Sequence, residues 1–281
     1  MDASIVCGAD TENIELALLL EAIYRQYGYD FRAYSPEPLK RRMLRARELF
    51  GCQTFSQIQD KLLHDRSVLP RILGYITVQV SEMFRDPPFF KGLRESVIPH
   101  LKTYPLLRVW IAGCSTGEEL YSLAILFREE GIENRTQFYA TDINPYALKQ
   151  AESGIYPLDR ISLFTKNHQL SGSPCSLSEY YTAAYGAAVF DRTLRQRTVF
   201  ADHSLVSDSV FAEVQLVVCR NVLIYFQRPL QDRAISLFNE ALVRKGFLGL
   251  GAKESLRFSA HAANFAEFIP GERIYRKRGE G

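Results

Sequence analysis

The chain has 281 residues, enough for one large domain or for two modest domains that each bury a core, and we predict two. Its composition, 47% hydrophobic and 23% charged, is typical of a globular protein, and a net charge of +2 does not by itself indicate a nucleic-acid or membrane partner. The five cysteines are scattered without metal-ligand spacing, which argues against a metal site and a disulfide framework.

The start of the chain does not have the pattern of a signal peptide, because Asp2, Asp10 and Glu12 interrupt it. No apolar run approaches the length of a membrane span. We therefore expect a cytoplasmic protein that does not insert into a membrane.

The first third of the chain has the periodicity of helices. Each predicted helix has a recognisable start or end, such as a capping residue, an early proline or a glycine just past the last turn. The predicted positions are Thr11 to Tyr27 before Gly28, a start at Ser35 and Pro36, Phe55 to His64, and a start near Pro70.

The second predicted helix, in the segment LKRRMLRARELF, has an apolar face and a basic face. The apolar stripe is Leu39, Met43, Ala46 and Phe50, and the basic residues on another face are Arg41, Arg42 and Arg45. A solvated helix surface and a docking surface for an acidic partner both explain such a face.

After Tyr104 and Pro105 strands and helices alternate, which predicts a parallel sheet with crossover helices. The predicted strands are LLRVWIA, QFYATDI, RTVFADH, VQLVVC, FLGLGA and a terminal strand in FIPGERIYRKR, and the predicted helices are LYSLAILFREE, Asn144 to Gly154 and about Leu230 to Arg244. The pattern weakens between Gly154 and Arg197. We place a small inserted subdomain at about 171–200, a helical domain at 1–95 and a second domain at 96–281.

The turn GCSTGEE lies where an open α/β sheet binds a nucleotide-like ligand, at the carboxyl end of the first strand. The glycines Gly113 and Gly117 let the backbone approach such a ligand closely, and the candidate contacts in the turn are Ala112, Gly113 and Cys114. The acids Glu118 and Glu119 would oppose a pyrophosphate but suit the cationic sulfonium and ammonium of S-adenosylmethionine. Favourable interaction with the helix dipole is the alternative role of the two acids.

Two further positions follow strands of the same sheet. Asp142 lies about 25 residues past Gly117, near the spacing at which an acid binds ribose hydroxyls, and Asn144 is better placed than Asp142 to cap the next helix. In CRNVLIYF, the side chains of Arg220, Asn221 and Tyr225 should point into the cleft at the carboxyl ends of the strands. Arg85 lies in an apolar segment and needs a partner if it is buried.

The motifs TVQVSEMFRD, AGCSTGEELYS, ATDIN and CRNVLIYF, in this order, resemble the CheR family of chemoreceptor glutamate O-methyltransferases. The resemblance covers nearly the whole chain. It implies an α/β fold, in which a Rossmann-like methyltransferase domain that uses S-adenosylmethionine follows an N-terminal all-helical domain and carries a small inserted β-subdomain. The implied cofactor contacts are Gln79, Ser81, Arg85, Glu119, Asp142, Ser204, Leu205, Arg220 and Asn221. Arg85 and Tyr225 match the catalytic pair of the family.

The chain departs from the family pattern at Gln79, Ser81 and Met83, where Asn, Thr and Phe are usual. The first two replacements keep hydrogen-bonding capacity. Family members that bind a receptor's C-terminal pentapeptide carry a glycine-rich loop in the inserted subdomain, whereas this chain keeps only Gly186 there, with Ala187 and Ala188 beside it. We therefore expect methylation that does not depend on a pentapeptide tether.

The expected reaction is methylation of glutamate side chains in the helical cytoplasmic region of a chemoreceptor or related signalling protein, with S-adenosylhomocysteine as the product. The expected enzyme is a monomer without a metal, and Arg41, Arg42 and Arg45 would contact the acidic substrate. One alternative is a nucleic-acid adenine amino-methyltransferase, because Asp86-Pro87-Pro88-Phe89 resembles the motif that holds a flipped adenine. The motif precedes the sheet, however, and the net charge disfavours DNA. The other alternative is a non-enzymatic module that senses the cofactor.

Overall fold

The computed structural model describes the backbone of residues 3–279 and the side chains of residues 10–279. The chain forms two compact units. The first contains the residues up to Val78 together with Tyr225–Leu230, and the second contains Gln79–Ile224 and the residues from Gln231 onward. The division therefore lies 17 residues before the boundary expected after residue 95. The reason is that Met83, Phe84 and Phe90 are buried in the core of the second unit.

The first unit is helical: α1 (Ala3–Tyr27), α2 (Pro36–Leu49), α3 (Phe55–His64) and α4 (Val68–Ile76). Pro36 begins α2 as the sequence predicts, and the Thr54 hydroxyl caps α3 by accepting a hydrogen bond from the Gln57 N–H at 3.2 Å. The first helix begins at Ala3, so the prediction that Thr11 caps it is wrong.

The second unit contains a seven-stranded sheet with the order β6-β2-β1-β7-β8-β10-β9. Its strands are β1 (Leu107–Ala112), β2 (Thr136–Asp142), β6 (Thr198–Asp202), β7 (Val214–Cys219), β8 (Leu242–Leu250), β9 (Phe265–Ile269) and β10 (Ile274–Lys277). The five strands from β6 to β8 are parallel, and β10 and β9 are antiparallel. The prediction of one terminal strand is therefore wrong, because the chain turns at Gly271 and forms a hairpin.

The helices of the second unit include crossover helices, which βαβ connections place on the faces of the sheet. The helices are α5 (Pro87–Gly92) and α6 (Ile98–Leu101) before β1, then α7 (Glu118–Glu129), α8 (Pro145–Ser153), α9 (Ile161–Leu170) and α10 (Arg228–Ala241), and a π-helical turn, Leu93–Val97, joins α5 to α6. The α7 helix is buried along most of its length. It lies directly after β1 and fixes the turn between them.

The inserted subdomain is a three-stranded antiparallel sheet with the order β3-β5-β4. Its strands are β3 (Ile155–Pro157), β4 (Tyr181–Ala184) and β5 (Ala187–Phe190). The subdomain thus begins at β3, before the expected start near 171, and α9 lies inside it. The sequence pattern concealed α9 because two of its buried residues, Asn167 and His168, are polar.

Because β1, β2, β6 and β7 are parallel, their carboxyl ends lie along one edge of the sheet. The residues that follow these strands are Gly113, Ile143, His203 and Arg220. Among the described helices, none combines the length and the apolar composition that a membrane span requires.

Candidate active site

The turn after β1 approaches the loop after β7 so closely that residue 113 must be glycine. Gly113 has φ +76°, and a Cβ atom there would lie 2.5 Å from Cγ2 of Val222. The N–H groups of Gly113 and Cys114 both donate to the Thr141 carbonyl, at 2.8 and 2.9 Å. These contacts lock the ends of β1, β2 and β7 together.

The rest of this turn is also held from β2. Ser115 has a positive φ of 50°, and its N–H donates to the Asp142 carboxylate at 2.8 Å. The Ser115 hydroxyl oxygen is buried and has no hydrogen-bond partner among the described residues. A buried polar atom without a partner is costly in a protein alone, so this hydroxyl is available to a ligand.

Asp142 is held on both of its carboxylate oxygens by backbone groups. One oxygen accepts from Ser115 and the other accepts from the Asn144 N–H at 2.9 Å. Burial raises the pKa of Asp142, and these hydrogen bonds oppose that effect. The Asn144 side chain caps α8 through the Tyr146 N–H at 2.9 Å, so the predicted cap is confirmed.

The two acids at the start of α7 are both buried and both ion-paired. Glu118 accepts from Arg160 at 2.7 Å and from the Thr116 hydroxyl at 2.6 Å. Glu119 accepts from Arg220 at 2.9 Å. Burial raises the pKa of Glu119, while the guanidinium of Arg220 lowers it.

Arg220 joins three segments that are far apart in sequence. Its guanidinium binds Glu119, the Asp86 carboxylate at 2.7 Å and the Arg85 carbonyl at 2.9 Å. It also lies 4.2 Å from the centre of the Phe89 ring, a cation–π distance. The motif after β7, the start of α7 and the segment before α5 therefore meet at one cation.

The segment before α5, residues 79–86, is held in an unusual backbone conformation. Phe84 and Asp86 have positive φ angles of 52° and 57°, which are uncommon for residues other than glycine. The Phe84 N–H donates to the Ser122 hydroxyl at 2.7 Å, and Asn167 donates to the Met83 carbonyl at 3.1 Å. Arg160 donates to the Ser81 carbonyl. Such a conformation persists only where its surroundings hold it, as these side chains do.

Arg85 lies between these two strained residues. Its side chain is half-buried, as is that of Ser81, and Gln79 is exposed. Among the described residues the Arg85 guanidinium forms no ion pair or hydrogen bond, so the alternative of an ordinary structural salt bridge is not observed. Asp86, the first residue of the Asp-Pro-Pro-Phe sequence, is instead paired with Arg220, and Pro87 begins α5 rather than ending a strand.

Two other predicted contacts follow β6. The Ser204 hydroxyl accepts from the N–H groups of Val206 and Ser207, at 3.2 and 3.3 Å, and Leu205 is buried. The His203 N–H, just before them, donates to the Asp142 carbonyl at 3.3 Å. Ser204 and Leu205 therefore follow Asp142 along the same edge of the sheet.

Four of the predicted site residues belong to the first unit. Arg41 and Arg45 on α2 are exposed, whereas Arg42 is half-buried and its guanidinium lies 5.3 Å from the centre of the Tyr225 ring. Burial lowers the pKa of Arg42. Of the three arginines predicted to form one basic face, Arg41 and Arg45 are therefore exposed and Arg42 is partly covered. Tyr225 groups with the first unit, unlike Arg220 and Asn221.

The structure also contains site residues that the sequence did not indicate. Arg160 links Glu118 to residues 79–86, and Glu254 accepts a hydrogen bond from the Asn221 N–H at 2.9 Å. Lone charged residues in polar segments look like solvated surface residues. The one sequence feature that could have indicated Glu254 is Gly251, three residues before it, because a glycine at the end of a strand can mark a close approach of two backbone segments.

The residues at this edge fit S-adenosylmethionine. The turn after β1 offers backbone groups, a buried hydroxyl and the neighbouring acids Glu119 and Asp142, which suits a cationic cofactor with a ribose. Among the described residues no group of three or more His, Cys, Asp or Glu side chains is arranged to hold a metal ion. Cys52, Cys114, Cys175 and Cys219 are free thiols.

Comparison with known proteins assigns both parts of the chain. The family model of the CheR methyltransferase SAM-binding domain matches residues 79–269 of the sequence. The family model of the CheR methyltransferase all-alpha domain matches residues 14–77. "Putative methyltransferase Cher3" of Pseudomonas putida is 54% identical over 265 residues, which are 94% of this chain and 97% of that protein.

Relatives with chemotaxis names are more distant. A "Chemotaxis protein methyltransferase" of Listeria monocytogenes is 32% identical over 83% of this chain and 87% of that protein. One of Salmonella typhimurium is 26% identical over 93% of this chain and 86% of that protein. The Rossmann-like fold with an N-terminal helical domain is confirmed, and the chain belongs to the CheR methyltransferase family, whose enzymes use S-adenosylmethionine.

Proposed function

We propose that this enzyme methylates glutamate side chains in the helical cytoplasmic region of a chemoreceptor or related signalling protein. The products are glutamate methyl esters and S-adenosylhomocysteine. The observation that carries the proposal is the binding of Arg220 to Glu119, Asp86 and the Arg85 carbonyl, because it brings three of the four family motifs together. The chemotaxis names of the Listeria and Salmonella relatives support the choice of substrate.

The proposed cofactor site lies along the carboxyl ends of β1, β2, β6 and β7. Asp142 accepts hydrogen bonds from the ribose, and the acid Glu119 favours the positive charge of the cofactor. The buried Ser115 hydroxyl is a further group in this turn that a ligand can satisfy. The complete set of proposed contacts is Gln79, Ser81, Arg85, Ala112, Gly113, Cys114, Glu119, Asp142, Ser204, Leu205, Arg220 and Asn221.

The chemistry requires little acid–base assistance from the protein. A glutamate acceptor is already ionised at neutral pH, so no strong general base is needed. Bound S-adenosylmethionine supplies the methyl group, whose bond to sulfur breaks as the carboxylate oxygen attacks. The protein's task is then to orient the acceptor and exclude water.

Arg85 and Tyr225 are the proposed catalytic residues. The Arg85 guanidinium has no ion-pair partner among the described residues, so it is available to a carboxylate or to the cofactor. The Tyr225 hydroxyl can donate a hydrogen bond to the acceptor and hold it in line for transfer. Arg85 lies between two residues with positive φ, in a segment whose backbone is held by side-chain hydrogen bonds to Ser81, Met83 and Phe84, which limits the motion of the Arg85 backbone.

Arg41, Arg42 and Arg45 are the proposed contacts to the acidic substrate. Arg41 and Arg45 are exposed on α2 and attract an acidic helix, while Arg42 is partly covered by Tyr225 and keeps less of its surface for an incoming partner. The substrate region lies in the cytoplasm, so we propose that the reaction takes place there.

Methylation is proposed to be independent of a pentapeptide tether. The hairpin of β4 and β5 turns through only Tyr185 and Gly186, which have φ values of 49° and 75°. A two-residue turn is the tightest common hairpin connection and leaves no longer loop to enclose a peptide. β4 lies at an edge of its sheet, where a peptide could bind as an added strand. Titration of a receptor-tail pentapeptide in a calorimeter tests directly whether it does. Micromolar binding would contradict tether independence.

The substrate is tested with labelled cofactor and two receptor fragments. One fragment has its natural methylation helices, and the other has every glutamate at the methylation sites replaced by alanine. We expect label in the first fragment alone. Equal labelling of both fragments would place the acceptor elsewhere and contradict the proposal.

A further inference from the structure

Glu254 follows β8 and is almost completely buried, with 4% of its surface exposed. Its carboxylate accepts hydrogen bonds from three backbone N–H groups. One oxygen accepts from Gly251 at 2.6 Å and from Asn221 at 2.9 Å, and the other accepts from Ile224 at 3.3 Å. Two of these three donors, Asn221 and Ile224, belong to the loop that follows β7.

That loop needs such an acceptor. Past Cys219 the chain leaves the sheet, and Asn221 takes a left-handed conformation with φ +61°, so the next N–H groups have no strand to pair with. Buried N–H groups without partners cost free energy comparable to lost hydrogen bonds. The carboxylate of Glu254 is the group that satisfies them, and its removal would leave the loop without its inner support.

Gly251 provides an independent sign that this contact is constrained. A Cβ atom at residue 251 would lie 2.8 Å from the Asn221 backbone nitrogen and 2.8 Å from the Glu254 carboxylate oxygen. Only glycine therefore allows β8 to end this close to the loop. Burial raises the pKa of Glu254 and the neighbouring backbone N–H groups oppose this effect, as expected for an anion surrounded by amides.

We propose that Glu254 is a positioning residue. Its buried carboxylate holds the loop after β7 in the conformation in which Asn221 can contact the cofactor. This inference rests on the proposed contact between Asn221 and S-adenosylmethionine. It assigns to Glu254 no contact with the reacting atoms. A carboxylate is required because glutamine would turn an NH2 group toward N–H donors, whereas a carboxylate accepts on both sides.

Glu129 is a matched control. It is also a buried carboxylate of the second unit, and it binds Arg94 at 2.5 Å and His168 at 2.8 Å at the other end of α7. Glu129→Gln should lower Tm without changing the affinity for S-adenosylhomocysteine. Glu254→Gln should lower Tm and also weaken S-adenosylhomocysteine about tenfold, because the loop loses acceptors that hold Asn221. It should lower kcat, and Glu254→Asp should recover part of both losses.

Calorimetry with S-adenosylhomocysteine and turnover with a receptor fragment, both well below the Tm of every variant, decide the proposal. Wild-type affinity and kcat in folded Glu254→Gln would overturn it. If that variant does not fold, Glu254→Asp and Gly251→Ala are judged by the same criteria.

Amide hydrogen exchange in the wild-type protein is a further test, with the N–H groups of Asn221 and Ile224 exchanging as slowly as those of β7. Fast exchange there would contradict the proposal. A wild-type enzyme that binds the product but does not label the receptor would refute the proposed substrate and leave this inference standing.

Discussion

At the scale of single residues, the site depends on charges that are buried and paired. Arg220 is 7% exposed, and its ion pair with Glu119 favours the ionised form of that carboxylate, which burial alone would push toward its protonated form. Removing one member of such a pair leaves the other charge buried, which costs about 3–5 kcal/mol. The ion pair between Arg220 and Glu119 therefore maintains the shape of the site. This role does not require either residue to contact the protein substrate.

Asp142 is the single residue whose loss should weaken ligand binding most directly. Asp142→Ala removes the acceptor for the Ser115 N–H and the proposed acceptor for the ribose. Because a hydrogen bond to a charged group contributes roughly 1.5–3 kcal/mol, binding of cofactor and product should weaken by about 10-fold to 100-fold. Calorimetry with both ligands measures this. Asp191→Ala, which removes an acceptor for the Thr193 N–H in the insertion, is the control and should bind normally. Unchanged affinity in Asp142→Ala would remove the residue from the site.

Arg85 and Tyr225 should matter more for the reaction than for binding. Arg85→Ala and Tyr225→Phe are each expected to lower the single-turnover rate by more than they weaken cofactor binding, since each loses a group proposed to orient the acceptor. The measurement is the rate at saturating cofactor. Rates equal to wild type would show that the catalytic assignment is incorrect.

At the scale of elements, the turn between β1 and α7 is the feature that tolerates least change. Gly113→Ala adds a Cβ 2.5 Å from Val222 to a backbone with φ +76°, whereas Gly131→Ala meets a similar φ of +71° with nothing within 4 Å. The second variant should lose about 1 kcal/mol from strain alone, and the first should lose more because it also forces β1 and the loop after β7 apart.

Urea unfolding and product binding test this pair. Gly113→Ala should weaken S-adenosylhomocysteine in addition to its lower stability, and Gly131→Ala should bind it as the wild type does. Equal effects of the two substitutions on both measurements would mean that the close approach of the two segments has no role.

The elements that the sequence predicted are those with strong local signals. The α3 helix was predicted from Phe55 to His64 and is found there, because Thr54 caps it and its apolar residues have helical spacing. The α9 helix was not predicted, because burial of Asn167 and His168 depends on tertiary contacts. The final hairpin was predicted as one strand, since Gly271 and Arg273, with their positive φ angles, stand in a short stretch that resembles a simple continuation.

The same difference applies to the site. Glu119, Asp142 and Arg220 were predicted because each lies at the end of a strand or the start of a helix in the sheet. Glu254 and Arg160 act by reaching back to segments more than 30 residues away, and one sequence contains no local sign of such partners.

At the scale of the whole molecule, a net charge of +2 gives little long-range attraction, so substrate recognition must depend on local charge. Arg41→Glu with Arg45→Glu should raise the KM for a receptor fragment about tenfold at low salt, less at high salt, without altering cofactor affinity. The control, Lys61→Glu with Arg66→Glu, makes the same charge change at exposed positions of the first unit outside α2. The same KM for both double variants would mean that the basic face of α2 is only a solvated surface.

The most direct test of the central claim is to identify the acceptor of the methyl group and the kind of bond that links the methyl group to it. The wild-type enzyme is incubated with methyl-labelled cofactor and a receptor fragment that lacks its C-terminal tail, with duplex DNA as a parallel substrate. We predict label on the receptor fragment that mild base releases as methanol, as expected of glutamate methyl esters, and none on DNA. Label that resists base, or label on DNA, would contradict the proposal that this member of the CheR family is a protein-glutamate O-methyltransferase.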